Sequence, residues 1–152
     1  CGAEGCRMSE SLTIELDIQA LGAQGDGIGH HEGATVFVPY ALPGERVRVR
    51  LQEKAKNTFT GRLIDVLAPA PNRVVAPCPV FTRCGGCAMQ HMALPDYSAW
   101  KKAQVAATLA TRGVTLPEKT EIVSTEPGAR RRAVFAASGA MALVLGYRVS
   151  GV

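Results

Sequence analysis

Apolar and polar residues alternate in short runs through the first half of the chain. The runs cover residues 12–21, 35–40, 45–51 and 58–66, and turns that contain glycine or proline separate them. The clearest run, 46–51, places three arginines on one face of a strand and two valines and a leucine on the other. Short, closely spaced strands of this kind predict a small β-barrel over residues 12–67, with an apolar interior and a basic outer face.

The second half begins with a proline-rich stretch and continues into a helical pattern. Residues 68–77 predict a semi-rigid linker, after which 78–116 form a separate segment. A helix is expected over 96–112, with Asp96 as its N-cap and Gly113 as its stop signal. Its apolar stripe consists of Tyr97, Trp100, Val105 and Leu109, and Trp100 is expected in the core.

The two ends of the chain differ in pattern. Residues 1–11 have no periodicity and are predicted to be a tail. Residues 132–137 and 141–148 are strand-like and flank Ser138-Gly139-Ala140, which predicts a β-hairpin within 117–152. A hairpin without further strands is a poor sheet, so we expect the chain to be a fragment of a longer protein.

Composition narrows the class of protein. The 152 residues are 47% hydrophobic and 20% charged, and no run approaches the roughly 18 apolar residues of a membrane-spanning helix. These values predict a soluble, intracellular protein without a membrane partner. Lysine and arginine number 17 against 13 acidic residues, which permits a polyanionic partner without requiring one.

The basic excess is local. Residues 46–62 contain six basic side chains and one acid, and the candidates for phosphate contact are Arg46, Arg48, Arg50, Lys54, Lys56 and Arg62. The alternative is an ordinary solvated strand face. The barrel offers only Phe37, Tyr40 and Phe59 for base stacking, which favours contact with an RNA backbone over recognition of bases.

Three of the five cysteines are clustered. Cys78, Cys84 and Cys87 form a C-x5-C-x2-C motif, with two glycines between the last two. Thiolates bind soft metals and iron-sulfur clusters, and the glycines permit the tight backbone that converging sulfurs require. Spacing does not choose between an iron-sulfur cluster and a zinc site completed by a residue such as His91. A Cys84–Cys87 redox pair and plain structural thiols are weaker alternatives.

At this motif the sequence resembles a known family. The octapeptide of residues 84–91, Cys-Gly-Gly-Cys-Ala-Met-Gln-His, preceded by Cys78, closely resembles the iron-sulfur segment of the RumA-type rRNA (uracil-5-)methyltransferases. Residues 25–47 look like the TRAM domain of these enzymes, an OB-like five-stranded barrel that binds RNA. Residues 130–135 and 145–148 are similar to the hairpin that opens their central domain. The resemblance covers nearly everything after residue 11, about the first third of a family member.

The resemblance implies a fold and a set of ligands. The fold is mainly β with α: an OB-like TRAM barrel, then a cysteine-rich iron-sulfur segment with one helix, and the opening hairpin of an α+β central domain. Cys78, Cys84 and Cys87 become ligands of a 4Fe-4S cluster. The family's fourth cysteine follows the hairpin and has no counterpart here, and Cys1 and Cys6 match no family position.

The resemblance also implies an activity. The whole enzyme would use S-adenosylmethionine to methylate carbon 5 of a uridine in RNA, with rRNA as the expected partner, no DNA and a bacterial cytoplasmic location. The catalytic residues and the S-adenosylmethionine site belong to a domain outside this chain, so the fragment alone is expected to bind a cluster and RNA without turnover. Which uridine is modified, and the oligomeric state, are not indicated.

Two further interpretations compete with this one. A stand-alone RNA-binding adaptor that holds zinc or an iron-sulfur cluster would have the same barrel and cysteines. A radical methylthiotransferase also combines a TRAM barrel with a cluster, but that family uses C-x3-C-x2-C and places the barrel last. The G-x-G-x-G of Gly25, Gly27 and Gly29 is interpreted as a barrel turn and not as an S-adenosylmethionine loop, with His30 and His31 as exposed loop residues.

Overall fold

The computed structural model of the chain describes residues 12–55, 57–125, 129, 136–138 and 144–146. The chain divides into two compact units, Cys1–Pro71 and Asn72–Val152. The predicted tail, Lys56 and the basic run at 130–132 lie outside the described residues. None of the described helices has the length and apolar character needed to cross a membrane.

The described part of the first unit is a single curled sheet. Its strands are β1 (Thr13–Asp17), β2 (Ala20–Leu21), β3 (Gly27–His31), β4 (Ala34–Val38), β5 (Arg46–Ala55) and β6 (Thr58–Ala68). They follow the order β1-β5-β6-β4-β3-β2, and all neighbours are antiparallel except the parallel pair β4–β6.

The two outer strands of this order are nearly continuous in the chain. Only Ile18 and Gln19 separate β1 from β2. The Ile18 amide donates to the Glu45 carbonyl at 2.9 Å, and the Gln19 amide donates to the Ile28 carbonyl at 2.8 Å. The two edge strands β1 and β2 thus belong to one bent segment of the chain. This arrangement brings the two edges of the sheet together and protects them from being open. The predicted small barrel is confirmed.

The barrel interior follows the period-two pattern of the sequence. Val36, Val38, Val47 and Val49 have no exposed surface, and Leu16, Ile18, Ala41 and Leu51 complete the buried cluster. Burial of a valine or leucine side chain stabilises a fold by roughly 1.5–3 kcal/mol, so this cluster supplies much of the barrel's stability. The predicted division of residues 46–51 into a core face and an outer face is confirmed.

Strand β3 departs from the prediction of a turn over Gly27 and Gly29. Both glycines lie inside the strand, and only Gly25 of the three has a positive φ, 90°. A Cβ at Gly27 would lie 2.9 Å from Ile18 Cγ2, and one at Gly29 would lie 2.8 Å from the Asp17 carbonyl oxygen. These glycines are therefore required for close packing and not for turn geometry.

The strand also changes the interpretation of the two histidines. His30 and His31 are strand residues, so their prediction as loop residues is wrong, although His30 is exposed. After β3 the chain turns directly into β4 without a helix. This arrangement agrees with the rejection of an S-adenosylmethionine loop.

The described part of the second unit contains one helix, α1 (Leu94–Ala110). Ala93 is its N-cap and makes no side-chain capping hydrogen bond, whereas Asp96 lies in the first turn. The prediction of Asp96 as the cap is therefore wrong. Pro95 at the start explains the shift, because a proline's missing N–H costs nothing in the first turn. The Asp96 carboxylate there instead complements the helix dipole.

The end of α1 agrees with the sequence. Gly113 has φ 70°, its amide donates to the Ala110 carbonyl at 3.0 Å, and the Val114 amide donates to the Leu109 carbonyl at 3.1 Å. These two hydrogen bonds form a Schellman motif, which glycine closes without strain. No residue of α1 is buried, and Trp100 stacks on Tyr97 with ring centroids 6.1 Å apart, so its expected core position is wrong.

The predicted hairpin appears as β7 (Ala136–Ser138) and β8 (Val144–Gly146), which pair antiparallel. Its expected loop residues Gly139 and Ala140 lie outside the described residues.

The predicted linker over 68–77 contains ordered contacts. The Ala70 amide donates to Glu45 Oε1 at 3.3 Å, and Arg73 forms a β-bridge with Met92.

Candidate functional site

The basic face of the barrel is built on β5, which lies between β1 and β6. Arg46 and Arg50 are exposed and Arg48 is half-buried, because the alternate residues of the strand turn into the core. Arg62 is exposed on the neighbouring strand β6. The structure therefore brings five of the six predicted RNA-binding residues onto two adjacent strands, and the side chains of four of them are described. The side chain of Lys54 on β5 and all of Lys56 lie outside the described part.

Acidic residues accompany the first half of this face. On β1, Asp17 is the register partner of Arg46 and Glu15 is the partner of Arg48. Glu15 forms ion pairs with both arginines, at 3.5 Å to Arg46 Nη2 and 3.2 Å to Arg48 Nη2. On the other side of β5, Asp65 of β6 is the register partner of Arg48. Charge at this end is therefore compensated within the sheet.

The second half of the face has the opposite character. Arg50 is the register partner of Thr13 on β1 and of Arg62 on β6, so two guanidinium side chains lie opposite each other. With Leu63 and Ile64 they line a shallow depression on the barrel surface. Like charges directly opposite in an antiparallel pair are destabilising. This arrangement suits an anionic ligand.

The cysteine motif lies in a series of tight turns. The Phe81 amide donates to the Cys78 carbonyl at 3.1 Å, and the Cys84 amide donates to the Val80 carbonyl at 2.9 Å. Cys78 and Cys84 are half-buried and Cys87 is exposed, and all three are free thiols. The second of these hydrogen bonds places the Cys84 backbone beside Val80, and two glycines separate Cys84 from Cys87.

The residue types suit an iron-sulfur cluster, since thiolates are its usual protein ligands. Within the described ranges, however, no group of three or more cysteine, histidine or acidic side chains lies close enough to hold a metal ion. Cys78, Cys84 and Cys87 are therefore not grouped as metal ligands in the described part of the chain. Their assignment as ligands stays a prediction.

His91, considered as a fourth ligand for zinc, is 4% exposed. Its ring packs against Phe81 with centroids 5.5 Å apart, and its carbonyl accepts a hydrogen bond from the Val74 amide at 2.9 Å. Burial, with a smaller contribution from the positive charge of Arg73, lowers the His91 pKa to about 4. The imidazole is therefore neutral at neutral pH.

One buried polar residue was not anticipated from the sequence. Glu45 is 1% exposed, and its carboxylate accepts hydrogen bonds from the Leu42 amide at 2.9 Å and the Ala70 amide at 3.3 Å. It connects the turn before β5 to the chain after β6, which is a structural role. A lone acid at the start of a strand gives no sequence signal for such a contact.

The barrel by itself matches a known domain family, and most of the chain is similar to known RNA methyltransferases. The TRAM domain family matches residues 11–64, which cover most of the barrel. A Caulobacter vibrioides protein described as an uncharacterized RNA methyltransferase is 42% identical over 122 residues, 78% of this chain and 27% of that protein.

Two named rRNA enzymes are also similar. The 23S rRNA (uracil(1939)-C(5))-methyltransferase RlmD of Photorhabdus laumondii is 42% identical over 80% of this chain and 28% of its own length. RlmD of Shewanella amazonensis is 38% identical over 93% of this chain and 33% of its own length. The chain thus spans about a third or less of these curated relatives.

Among solved structures, a tRNA (uracil-54, C5)-methyltransferase of Pyrococcus abyssi in complex with S-adenosyl-L-homocysteine matches 63% of this chain and 21% of that chain. The identity is 26% and the TM-score is 0.46.

Proposed function

We propose, from the premise that this chain belongs to the TRAM-containing RNA (uracil-5-)methyltransferase family, that it is the RNA-binding and cluster-binding part of an rRNA-methylating enzyme. The whole protein would transfer a methyl group from S-adenosylmethionine to carbon 5 of a uridine in rRNA. The observation that supports this most is the match of the TRAM family to a barrel whose outer face carries four arginines. A bacterial rRNA-modifying enzyme works in the cytoplasm, which is the location we propose.

The barrel's contribution would be electrostatic. Basic side chains on one face neutralise phosphates and position an RNA strand without reading its bases. The proposed contact residues are Arg46, Arg48, Arg50, Lys54, Lys56 and Arg62. Their common face on β5 and β6 supports this role for the four that are described.

The cysteine segment's contribution would be a metal centre. We propose Cys78, Cys84 and Cys87 as three ligands of a 4Fe-4S cluster, with a fourth ligand still to be identified. A bound cluster would join turns that bury little apolar surface of their own, and would therefore stabilise the segment. Within the described residues the three thiols are not grouped as metal ligands, so the proposal is supported by their residue type and spacing.

One preparation tests both parts. The protein tested is the intact enzyme, that is, the full-length protein that would contain this chain. Purified anaerobically after cluster reconstitution, it should be brown, with about four irons and four sulfides per chain. Incubation with methyl-labelled S-adenosylmethionine and unmodified 23S rRNA should then yield 5-methyluridine. Cys84→Ser should lose the visible absorbance, whereas Cys6→Ser, which lies outside the motif, should keep it.

Each part can fail separately. Absence of 5-methyluridine in rRNA with a fully loaded protein would contradict the proposed activity. A colourless protein with about one zinc per chain would contradict the cluster and favour the zinc site, which needs one ion and four ligands.

A further inference from the structure

We infer that Arg50 and Arg62 form the strongest phosphate-binding point of the barrel's basic face, and that Glu15 weakens the contacts that Arg46 and Arg48 make with the RNA backbone. The inference rests on the proposed RNA-binding function and divides its basic face into two parts. The Arg50–Arg62 pair is the part free to bind, and the Arg46–Arg48 pair is the part already engaged.

The ion pairs of Glu15 define the engaged part. One carboxylate contacts both Arg46 and Arg48, at 3.5 and 3.2 Å, and all three side chains are about half exposed. Asp17 and Asp65 are the register partners of the same two arginines. An RNA phosphate that approached this end would have to displace Glu15 and would meet two further carboxylates. Attraction to phosphate is therefore weakest here.

The free part is defined by its neighbours. Arg50 has Thr13 on one side and Arg62 on the other, with no acid in either register position. Among the described side chains, neither guanidinium takes part in an ion pair. Both are exposed, so their positive charge is directed to solvent. Net positive potential is therefore concentrated at this pair.

The geometry of the pair suits a phosphate. Register partners in an antiparallel pair have Cα atoms about 4.5–5.5 Å apart, so the two guanidinium groups can reach one phosphate or two successive ones. Guanidinium forks bind phosphate oxygens in bidentate fashion. The depression that the arginines line with Leu63 and Ile64 gives an anion a concave place to rest. Phosphate binding would also relieve the like-charge repulsion of the empty pair.

The test compares two double variants of the intact protein, Arg50→Gln/Arg62→Gln and Arg46→Gln/Arg48→Gln. Each removes two positive charges from the same face. Binding to an unmodified rRNA fragment is measured by fluorescence anisotropy over a range of salt concentrations. Each lost phosphate contact changes the slope of log Kd against log salt by about 0.7–0.9. The first variant should lose about 1.4–1.8 of the slope, and the second should lose less than about half of that.

Two further variants separate charge from folding. Arg50→Lys/Arg62→Lys keeps both charges and should keep the slope while binding less tightly, because lysine lacks the planar fork. Glu15→Gln should tighten RNA binding and steepen the slope, because it releases Arg46 and Arg48. The unfolding midpoint of Arg50→Gln/Arg62→Gln should not fall, since the substitution removes a repulsion.

Equal slope losses in the two glutamine double variants would overturn the inference, as would Glu15→Gln without effect on RNA affinity. Wild-type protein that fails to bind rRNA at any salt concentration would instead contradict the proposed function. The two failures are thus distinguishable.

Discussion

The barrel and the second unit are each stabilised internally by a different kind of interaction. The barrel has an apolar core of eight buried residues drawn from three segments of sequence, residues 16–18, 36–41 and 47–51. In the described part of the second unit, only His91 and Met92 are buried, and helix α1 has no buried residue. Backbone hydrogen bonds in turns and in the Schellman motif order this second unit. The barrel's fold is therefore specified by packing, whereas the second unit depends on local hydrogen bonding.

The largest change in the free energy of unfolding is expected when a leucine is truncated in the barrel core, and an exposed leucine of the second unit is the control. Leu16 is 5% exposed in the barrel core, and Leu94 is 62% exposed at the start of α1. Leu16→Ala should lower the free energy of unfolding by about 2–5 kcal/mol, because it leaves a cavity among packed side chains. Leu94→Ala should change it by less than about 0.5 kcal/mol. Urea unfolding followed by circular dichroism measures both.

Similar losses of stability in the two variants would contradict the contrast between a packed barrel and a second unit without a core. A large loss for Leu94→Ala would mean that α1 packs against apolar surface, and the second unit would then have a core of its own. Both substitutions are leucine to alanine, so they remove the same atoms. Any difference in stability therefore reports the surroundings of each leucine.

The barrel's core was predictable because strand alternation reports burial directly. Val47 and Val49 alternate with arginines, and a strand sends alternate residues to opposite faces. Strand β3 was missed because its sequence, Gly-Ile-Gly-His-His, has low strand propensity. The reason for its glycines is tertiary, since they face Ile18 and Leu16 from another part of the chain. No local pattern contains that information.

The next effect tests this explanation of β3. A Cβ at Gly29 would lie 2.8 Å from the Asp17 carbonyl oxygen and 2.8 Å from the Leu16 side chain. Gly29→Ala should therefore lower the free energy of unfolding by about 1–3 kcal/mol through overpacking. Gly22→Ala is the matched control, because its Cβ would lie at an ordinary 3.5 Å from the Asp26 carbonyl oxygen. Thermal unfolding of the two proteins measures the difference.

If Gly29→Ala proved as stable as Gly22→Ala, close packing would not explain the glycine, and β3 would be less tightly joined to β1 than the distances indicate. A loss confined to Gly29→Ala would support the close packing of β3 against β1. The barrel would then be sensitive to an added methyl group as well as to a removed one.

The candidate site was only partly predictable. The sequence placed the arginines on one face, but it could not show that Glu15, 33 residues before Arg48, lies beside them. Cysteine spacing similarly predicted ligand chemistry without fixing where the sulfurs lie, because turns and glycines allow many backbone paths. In both cases the missing information is the position of residues that are distant in sequence or flexible in backbone.

The smallest expected effect concerns the few buried residues of the second unit. His91 has its pKa lowered to about 4 by burial and, less strongly, by Arg73, compared with 6.5 in an unfolded chain. Its contribution to stability is thus fully present above about pH 6.5 and is lost as pH falls towards about 4, because the unfolded state binds the proton more tightly. Between about pH 7.5 and about pH 5.5 the wild-type protein should lose about 1 kcal/mol that His91→Gln does not lose.

His30→Gln removes an exposed histidine and is the matched control. Urea unfolding of all three proteins at both pH values gives the comparison, and NMR titration of the His91 ring locates the pKa itself. If the wild-type and His91→Gln proteins lost stability in parallel, His91 would be hydrated, and the second unit would lack even this small buried centre.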